Sequence, residues 1–262
     1  DDNGFFSNEI TNKYFEKYGH EIALALIGGV NYYTGQVFEI SRITKKAQFH
    51  GCKIGFDLAH AVGNIKLKLH DWGVDFASWC GYKYLNGGPG APSGVFIHEK
   101  HLNKGDYPRF DGWWGHEKST RFKMPDNFNP IHTAEAWQIS NPPILSMAAL
   151  LASLEIFKEA GIDNLIDKSK KLTSFLESLI KLELNDQVKI ITPTLPQYRG
   201  CQLSFKLLNP NHDIVTILKN KGIICDWREP DVIRIAPVPL YNSFVDCFNF
   251  VKILKSILNE QK

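Results

Sequence analysis

Two polar residues that could act together in catalysis follow short apolar runs early in the chain. Asp57 ends the run Ile54-Gly55-Phe56, and Lys83 comes soon after the run at 76–80. Short apolar runs bounded by turn residues are typical of buried parallel strands, and open α/β sheets bind ligands at the carboxyl ends of such strands. The sequence therefore predicts a carboxylate and an amine at neighbouring strand ends.

A lysine and an aspartate placed in this way suit the chemistry of pyridoxal 5'-phosphate (PLP). The lysine can form a Schiff base with the cofactor, and the aspartate can keep the pyridine nitrogen protonated. The spacing alone is also compatible with a solvated loop lysine and a capping aspartate, which is the commoner situation for an arbitrary Asp/Lys pair. The motifs around the pair favour the cofactor interpretation.

Five stretches of the chain carry long and unusual motifs, and together they closely resemble kynureninase, a PLP-dependent enzyme of fold type I. The resemblance extends almost to the last predicted helix. The motifs are 55–86 (which includes Tyr82-Lys83-Tyr84-Leu85-Asn86), Gly112-Trp113-Trp114-Gly115-His116, 119–124, Ile139-Ser140-Asn141-Pro142-Pro143 and 234–242.

The resemblance implies the α/β fold of PLP-dependent transferases of the aspartate aminotransferase-like type. In that fold this chain would form the second half of the large domain, residues 1–160, and an α+β C-terminal small domain, residues 161–262. Family members carry a long segment ahead of the position where this sequence begins, and that segment supplies the phosphate-binding turn and a stacking aromatic residue. We therefore expect residues 1–262 alone to bind PLP weakly and to be catalytically inactive.

The resemblance also assigns roles around the cofactor. Lys83 would carry the Schiff base, Asp57 would pair with the pyridinium nitrogen, and His60 would lie against the cofactor. Tyr82 would contact the cofactor phosphate and assist proton transfer. Gly28 occupies a cofactor-facing position at which kynureninases of this kind have a serine, so one hydroxyl is missing there.

Substrate contacts follow from the same resemblance. Arg234 would bind the substrate α-carboxylate, although an arginine in an alternating strand such as 232–236 is by itself more often exposed. Trp113 would donate to the cofactor phosphate of a partner subunit, which implies a homodimer with shared active sites. Trp114 and Asn141, with Ser140 adjacent, would touch the substrate ring, and the Asn141 amide favours a substrate with a ring hydroxyl.

The implied reaction is the hydrolysis of L-kynurenine or 3-hydroxy-L-kynurenine to alanine and the corresponding anthranilate, in tryptophan catabolism and the biosynthesis of NAD. Two alternatives stay open. One is another PLP enzyme of the same fold, such as an aminotransferase or a cysteine desulfurase, although a desulfurase needs a cysteine on a mobile loop. The other is a catalytically incompetent fragment.

Composition narrows the class of protein. The chain has 262 residues, 44% hydrophobic and 22% charged, with a formal net charge of +2, so nothing indicates nucleic acid or anionic lipid as a partner. No apolar run approaches the ~20 residues that span a bilayer. Five scattered cysteines form no C-x-x-C pair, which argues against a zinc site or a disulfide framework and favours the cytoplasm.

Hydrophobic periodicity predicts an alternation of strands and helices followed by an α+β region. In the first part we expect strands at 22–27, 52–56, 76–79 and 94–97 and a helix at 37–50. Further on we expect helices at 144–157, capped by Asn141, and at 162–181 and 213–221, and a last helix opened by Ser243 with Asp246. The remaining strands are expected at 189–192, 202–207, 223–226 and 232–235.

Overall fold

A mixed sheet forms the first part of the protein in the computed structural model, which describes residues 4–102, 108–210 and 213–260. Its strands lie in chain order, with β1–β2 and β2–β3 parallel and β3–β4 antiparallel. The elements are α1 (Asn8–Tyr18), β1 (Leu24–Gly28), α2 (Ile40–Phe49), β2 (Lys53–Asp57), β3 (Phe76–Trp79) and β4 (Gly94–Ile97). The predicted strands and helix of this part are confirmed, with shifts of a few residues at some ends.

Two long helices connect this sheet to a second, antiparallel one with the strand order β5-β6-β8-β7. Left-handed Gly161, with a φ of 77°, separates the two helices. The elements are α3 (Ile144–Ala160), α4 (Ile162–Glu183), β5 (Val188–Ile190), β6 (Leu203–Leu207), α5 (Ile214–Asn220), β7 (Asp226–Arg228), β8 (Val232–Ile235) and α6 (Phe244–Glu260). Asp246 accepts hydrogen bonds from the backbone and side chain of Ser243, as the capping pattern predicts.

Two predictions about local structure were wrong. The strand expected at 223–226 begins only at Asp226, because the backbone N–H of Ile223 bonds to the Leu218 carbonyl and so closes α5. Asn141 does not cap α3, because the helix starts after Pro143 without a side-chain cap. The Asn141 amide oxygen instead accepts a hydrogen bond from the Ser140 hydroxyl, at 3.1 Å.

Each sheet has its own hydrophobic core. One core is formed by α2, β2 and their surroundings, and the other by α4, α6 and the second sheet. Helix α3 packs differently, since it is apolar on every side yet Leu145 and Ile144 are 89% and 74% exposed. Leu24 and Leu26 on β1 are also exposed. Apolar surface of this extent is typical of a contact with further protein.

No helix in the described ranges is long and apolar enough to cross a membrane. The division of the chain near residue 160 stays a prediction.

A buried carboxylate fixes the amino-terminal ends of the central strands. Asp75, whose side chain is 4% exposed, accepts hydrogen bonds from the Ile54 backbone N–H at 2.8 Å and from Lys100 Nζ at 2.8 Å. His101 Nε2 lies 2.6 Å from it and Gln48 Nε2 3.2 Å. Burial alone would raise the pKa of Asp75, but these partners lower it to about 2.

We predict that Asp75→Asn destabilises the fold at neutral pH by about 2–4 kcal/mol, because an amide leaves Lys100 and His101 without their counter-ion. The folded-state pKa of about 2 lies below the ordinary 3.8, so the carboxylate stabilises the protein above pH 3.8 and that stabilisation is lost as the pH falls through 2. Urea unfolding at pH 7 and near pH 2 should therefore show a gap that narrows in acid.

Asp163→Asn is the matched control, because Asp163 is 70% exposed in its pair with Lys66 and its loss should cost less than about 1 kcal/mol. Equal stability of Asp75→Asn and the wild type at pH 7 would refute the role of Asp75.

Candidate functional site

The predicted carboxylate and amine lie at the carboxyl ends of two adjacent parallel strands. Asp57 is the last residue of β2 and pairs with Ser78 on β3, which leads into the loop that carries Lys83. Two contacts hold this loop: Gly87 N–H bonds to the Gly81 carbonyl at 2.9 Å, and the buried Ser153 hydroxyl donates to the Leu85 carbonyl at 2.6 Å. The position of Lys83 is thus fixed by backbone contacts on both sides.

His60 joins this pair. Its Nε2 lies 3.3 Å from Lys83 Nζ, and the Asn64 amide donates to its backbone carbonyl at 2.9 Å. Burial lowers the pKa of His60 to about 4, and the positive charges of Lys83 and Arg234 lower it further, whereas Asp57 acts in the opposite direction. The imidazole is therefore neutral at pH 7, and its Nδ1 is buried without a hydrogen-bond partner.

Arg234 reaches the same place from the second sheet. Its Nη1 donates to the Tyr32 carbonyl at 2.6 Å, and its Nη2 pairs with the Asp226 carboxylate. Its side chain is only 11% exposed, so the expectation of an exposed strand arginine from the alternation alone was wrong. The cross-strand pairing of β7 with β8 explains this, because it sets Asp226 directly opposite Arg234.

These side chains line a cleft of about 400 Å³ between the two sheets. The lining residues are His60, Lys83, Tyr84, Asn86, Gln202, Ile224, Cys225, Asp226, Arg234, Ile235, Ala236, Val238 and Tyr241. Lys83 offers an amine, Arg234 and His60 present buried nitrogens without partners, and Asp57 adjoins at the strand end. This donor set is suited to a ligand that carries an aldehyde, a basic ring nitrogen and an anionic group, and PLP has all three.

Four of the predicted site residues form a separate group outside the cleft. Trp113 and Trp114 begin a short 3₁₀ turn, and Gly112 ahead of them packs against Ile139, where a Cβ would lie 2.1 Å from the carbonyl oxygen. This contact sets the turn beside the segment that contains Ser140 and Asn141. Trp113 is 58% exposed, and Ser140 and Asn141 are exposed as well.

Arg121 holds the tryptophan turn in place, a role that the sequence did not reveal. Its guanidinium lies 4.5 Å from the centroid of the Trp114 ring, and its Nη2 donates to the carbonyls of Trp114 at 2.9 Å and His116 at 3.3 Å. Trp113 makes an edge contact with Phe122, with ring centroids 5.6 Å apart. The turn is therefore ordered while its first indole faces outward.

The two tyrosines beside Lys83 differ in environment. Tyr82 is 54% exposed and does not line the cleft, although Lys83 Nζ lies 5.9 Å from its ring centroid. The Cys80 thiol beside it raises the pKa of Tyr82. Tyr84 does line the cleft, and burial raises its pKa well above the ordinary value.

Gly28 lies beside Asp57 in the β1–β2 register, at the same sheet end as Lys83. A Cβ at Gly28 would meet its nearest atoms at 3.7 Å and 3.8 Å, which is ordinary van der Waals contact. The backbone would thus accept a serine at this position.

The fold is that of PLP-dependent enzymes of fold type I. The cysteine desulfurase from Thermococcus onnurineus NA1 has a TM-score of 0.78 at 18% identity, covering 99% of this chain and 65% of its own. The alanine–glyoxylate aminotransferase from Nostoc sp. has a TM-score of 0.72 at 17% identity, covering 97% and 66%. A C-DES variant with glycine covalently linked to its PLP cofactor has a TM-score of 0.78 at 18% identity, covering 94% and 63%. At these identities the likeness concerns the fold alone.

The sequence comparison is more specific. Residues 165–254 match the family described as kynureninase C-terminal domain. The kynureninase of Flavobacterium johnsoniae is 57% identical over 243 residues, which are 92% of this chain and 57% of that protein. The kynureninase of Myxococcus xanthus is 53% identical over 94% of this chain and 58% of its own length. The chain is similar to the C-terminal part of kynureninases and spans somewhat more than half the length of these relatives.

We predict that His60 stays neutral until the pH falls to about 4, because burial and the neighbouring cations oppose its protonation. Lys83→Met removes one of these cations and should raise the pKa of His60. Proton and nitrogen NMR titration of the imidazole ring measures both values in the same protein.

His70 provides an internal reference, since it is exposed beside Glu99, which raises its pKa above the ordinary 6.5. If the resonances of His60 and His70 moved together between pH 6 and 7, the buried environment of His60 would be disproved.

Proposed function

We propose that this chain carries the catalytic core of a kynureninase, which hydrolyses L-kynurenine or 3-hydroxy-L-kynurenine to L-alanine and anthranilate or 3-hydroxyanthranilate. The observation that supports this most is the cleft in which the Lys83 amine, neutral His60 and the Arg234 guanidinium come together, with Asp57 at the adjoining strand end. The similarity to kynureninases over 92% of the chain supports the choice among PLP enzymes of this fold.

In this proposal Lys83, Asp57, His60 and Tyr82 hold PLP, and Gly28 lies at the edge of its site. Bound PLP supplies an electron sink for negative charge that develops on the substrate. Asp57 suits the ring nitrogen because a carboxylate at a strand end can keep that nitrogen protonated. His60 suits a place against the ring because, as a neutral imidazole, it adds no positive charge to the cleft.

The chain's own groups then carry the proton transfers. Lys83 takes the proton from the substrate α-carbon, and the Arg234 fork binds the α-carboxylate. Water adds to the γ-ketone, and cleavage of the Cβ–Cγ bond releases the anthranilate as its carboxylic acid. The leaving alanine fragment needs a proton, and Tyr82 is our candidate for the donor, since its raised pKa keeps the phenol protonated at neutral pH.

We further propose a homodimer in which the second group of residues serves the site of the partner subunit. Trp113, Trp114, Ser140 and Asn141 lie outside the cleft of their own chain, and Trp113 faces outward. The exposed apolar helix α3, which follows Asn141, would contribute to covering contacts. The domain division near residue 160 and a cytoplasmic location belong to the same proposal.

A cysteine desulfurase is less compatible with the thiols of this chain. A desulfurase needs a reactive thiolate. Cys201 is fully buried and burial raises its pKa to about 12, while burial raises the pKa of Cys225 to about 11. Both thiols therefore resist ionisation at neutral pH.

The protein encoded by the complete reading frame should bind PLP through Lys83. We expect borohydride reduction to fix the cofactor on the peptide that contains Lys83, as measured by mass spectrometry, and Lys83→Ala to abolish both this adduct and turnover of kynurenine. Because kynureninases are longer than this chain, residues 1–262 tested in parallel should bind PLP weakly and show no turnover.

Lys66→Ala is a suitable control, because Lys66 is exposed in its pair with Asp163 and should leave the adduct on Lys83 unchanged. An adduct that persists in Lys83→Ala would place the cofactor lysine elsewhere.

Substrate preference should depend on Asn141. If its amide pairs with the ring hydroxyl, Asn141→Thr reduces kcat/KM for 3-hydroxykynurenine more than for kynurenine, by roughly 1–3 kcal/mol for one lost buried polar contact. Steady-state kinetics on both substrates measure the difference. Equal losses on the two substrates would remove Asn141 from ring recognition.

A further inference from the structure

Three charged side chains of the β7–β8 hairpin form one cluster at the cleft. The Asp226 carboxylate pairs through the same oxygen, Oδ2, with Arg234 Nη2 and with Arg228 Nη2, the latter at 3.0 Å. Asp226 lines the cleft together with Arg234. The guanidinium that would receive a ligand's carboxylate is therefore already paired with a carboxylate of the protein.

Arg234 does not need Asp226 to stay in position. Its Nη1 donates to the Tyr32 carbonyl at 2.6 Å, and its Cα lies on a strand whose neighbouring residues Ile233 and Ile235 are buried. These contacts come from the first sheet region and from the second core, and neither involves Asp226. A ligand could replace Asp226 at Nη2 while the guanidinium keeps its place.

Asp226, in turn, has a second cation available. Arg228 Nη2 already contacts Oδ2, and the Arg228 side chain is 42% exposed and so free to follow a small movement of the carboxylate. A carboxylate released from Arg234 would thus remain paired instead of being left unpaired in a partly buried place, which would be costly.

We propose that Asp226 is an internal competitor for the carboxylate site of Arg234 and that Arg228 is the cation that holds Asp226 when a ligand's carboxylate takes its place. This inference rests on the proposed function, in which Arg234 binds a carboxylate. Asp226 and Arg228 then determine specificity: they weaken the binding of anionic ligands and allow release of a carboxylate product. The carboxylate of an α-amino acid is the chemical group that they discriminate.

The test uses the complete, PLP-loaded protein and two probes that differ only in the anionic group, L-alanine and L-alaninamide. Titration calorimetry gives the Kd of each probe, and the ratio of the two values isolates the contribution of the carboxylate. The variants are Asp226→Asn, Arg228→Gln, the double variant and Arg234→Gln. Asp231→Asn removes a charge from the same hairpin and is the matched control, because its carboxylate lies near Lys206 instead.

Asp226→Asn should tighten the binding of L-alanine by roughly two- to fivefold, the factor that corresponds to a partly exposed ion pair of up to about 1 kcal/mol, and should leave L-alaninamide unchanged. Arg228→Gln should weaken L-alanine binding by a similar factor, and this effect should shrink in the double variant, because the residue that Arg228 holds has lost its charge. Asp231→Asn should resemble the wild type.

Weaker or unchanged binding of L-alanine by Asp226→Asn would overturn the inference. Arg234→Gln separates this outcome from a failure of the proposed function. If Arg234→Gln abolishes the preference for L-alanine over L-alaninamide, the carboxylate site is at Arg234 and only the competitor role of Asp226 is in question. If the preference survives in Arg234→Gln, the carboxylate binds elsewhere and the proposed role of Arg234 fails first.

Discussion

The parallel pairing of β2 with its two neighbours is the constraint on which the site depends. Register places Gly28 beside Asp57 and Asp57 beside Ser78, so that the three strands end at one edge of the sheet. The loops that leave this edge carry His60 and Lys83. A shift of one residue in β2 would turn Asp57 to the opposite face of the sheet and separate it from the amine. Buried Ile54 and Phe56, both 0% exposed, fix that register by packing.

The carbonyl of Tyr32 connects this edge to the second sheet. It accepts hydrogen bonds from Arg234 Nη1 at 2.6 Å and from Gln202 Nε2 at 3.0 Å. Nearby, the backbone N–H of Cys201 donates to the Asn64 side chain at 2.9 Å. The side chains that line the cleft from the two sides are therefore held relative to each other by directed hydrogen bonds in addition to apolar packing. This geometry is what brings Arg234 within electrostatic range of His60.

The sequence predicted the strands of the first sheet and the pair Asp57 and Lys83, because apolar runs with sharp ends carry a strong local signal. It did not predict the Arg234–Asp226 pair. That contact depends on where β7 begins, and the apolar Ile223-Ile224 placed the strand too early, although Ile224 is 91% exposed and Ile223 closes α5. Local hydrophobicity cannot distinguish an apolar loop residue at a cleft from a strand residue, so the cross-strand partner of Arg234 was out of reach.

The contacts of Arg121 show a related limit. An arginine three residues before Met124 carries no local signal of its role, yet it spans the tryptophan turn by stacking on Trp114 and bonding to two carbonyls. A guanidinium can do both at once because it is planar and carries several donors in one plane, which a lysine cannot reproduce. The turn is thereby rigid before any partner meets it, so that the entropy of ordering Trp113 is not lost on association. A site completed by a second subunit benefits from such pre-ordering, because each indole that must reach across an interface is already held at the required angle.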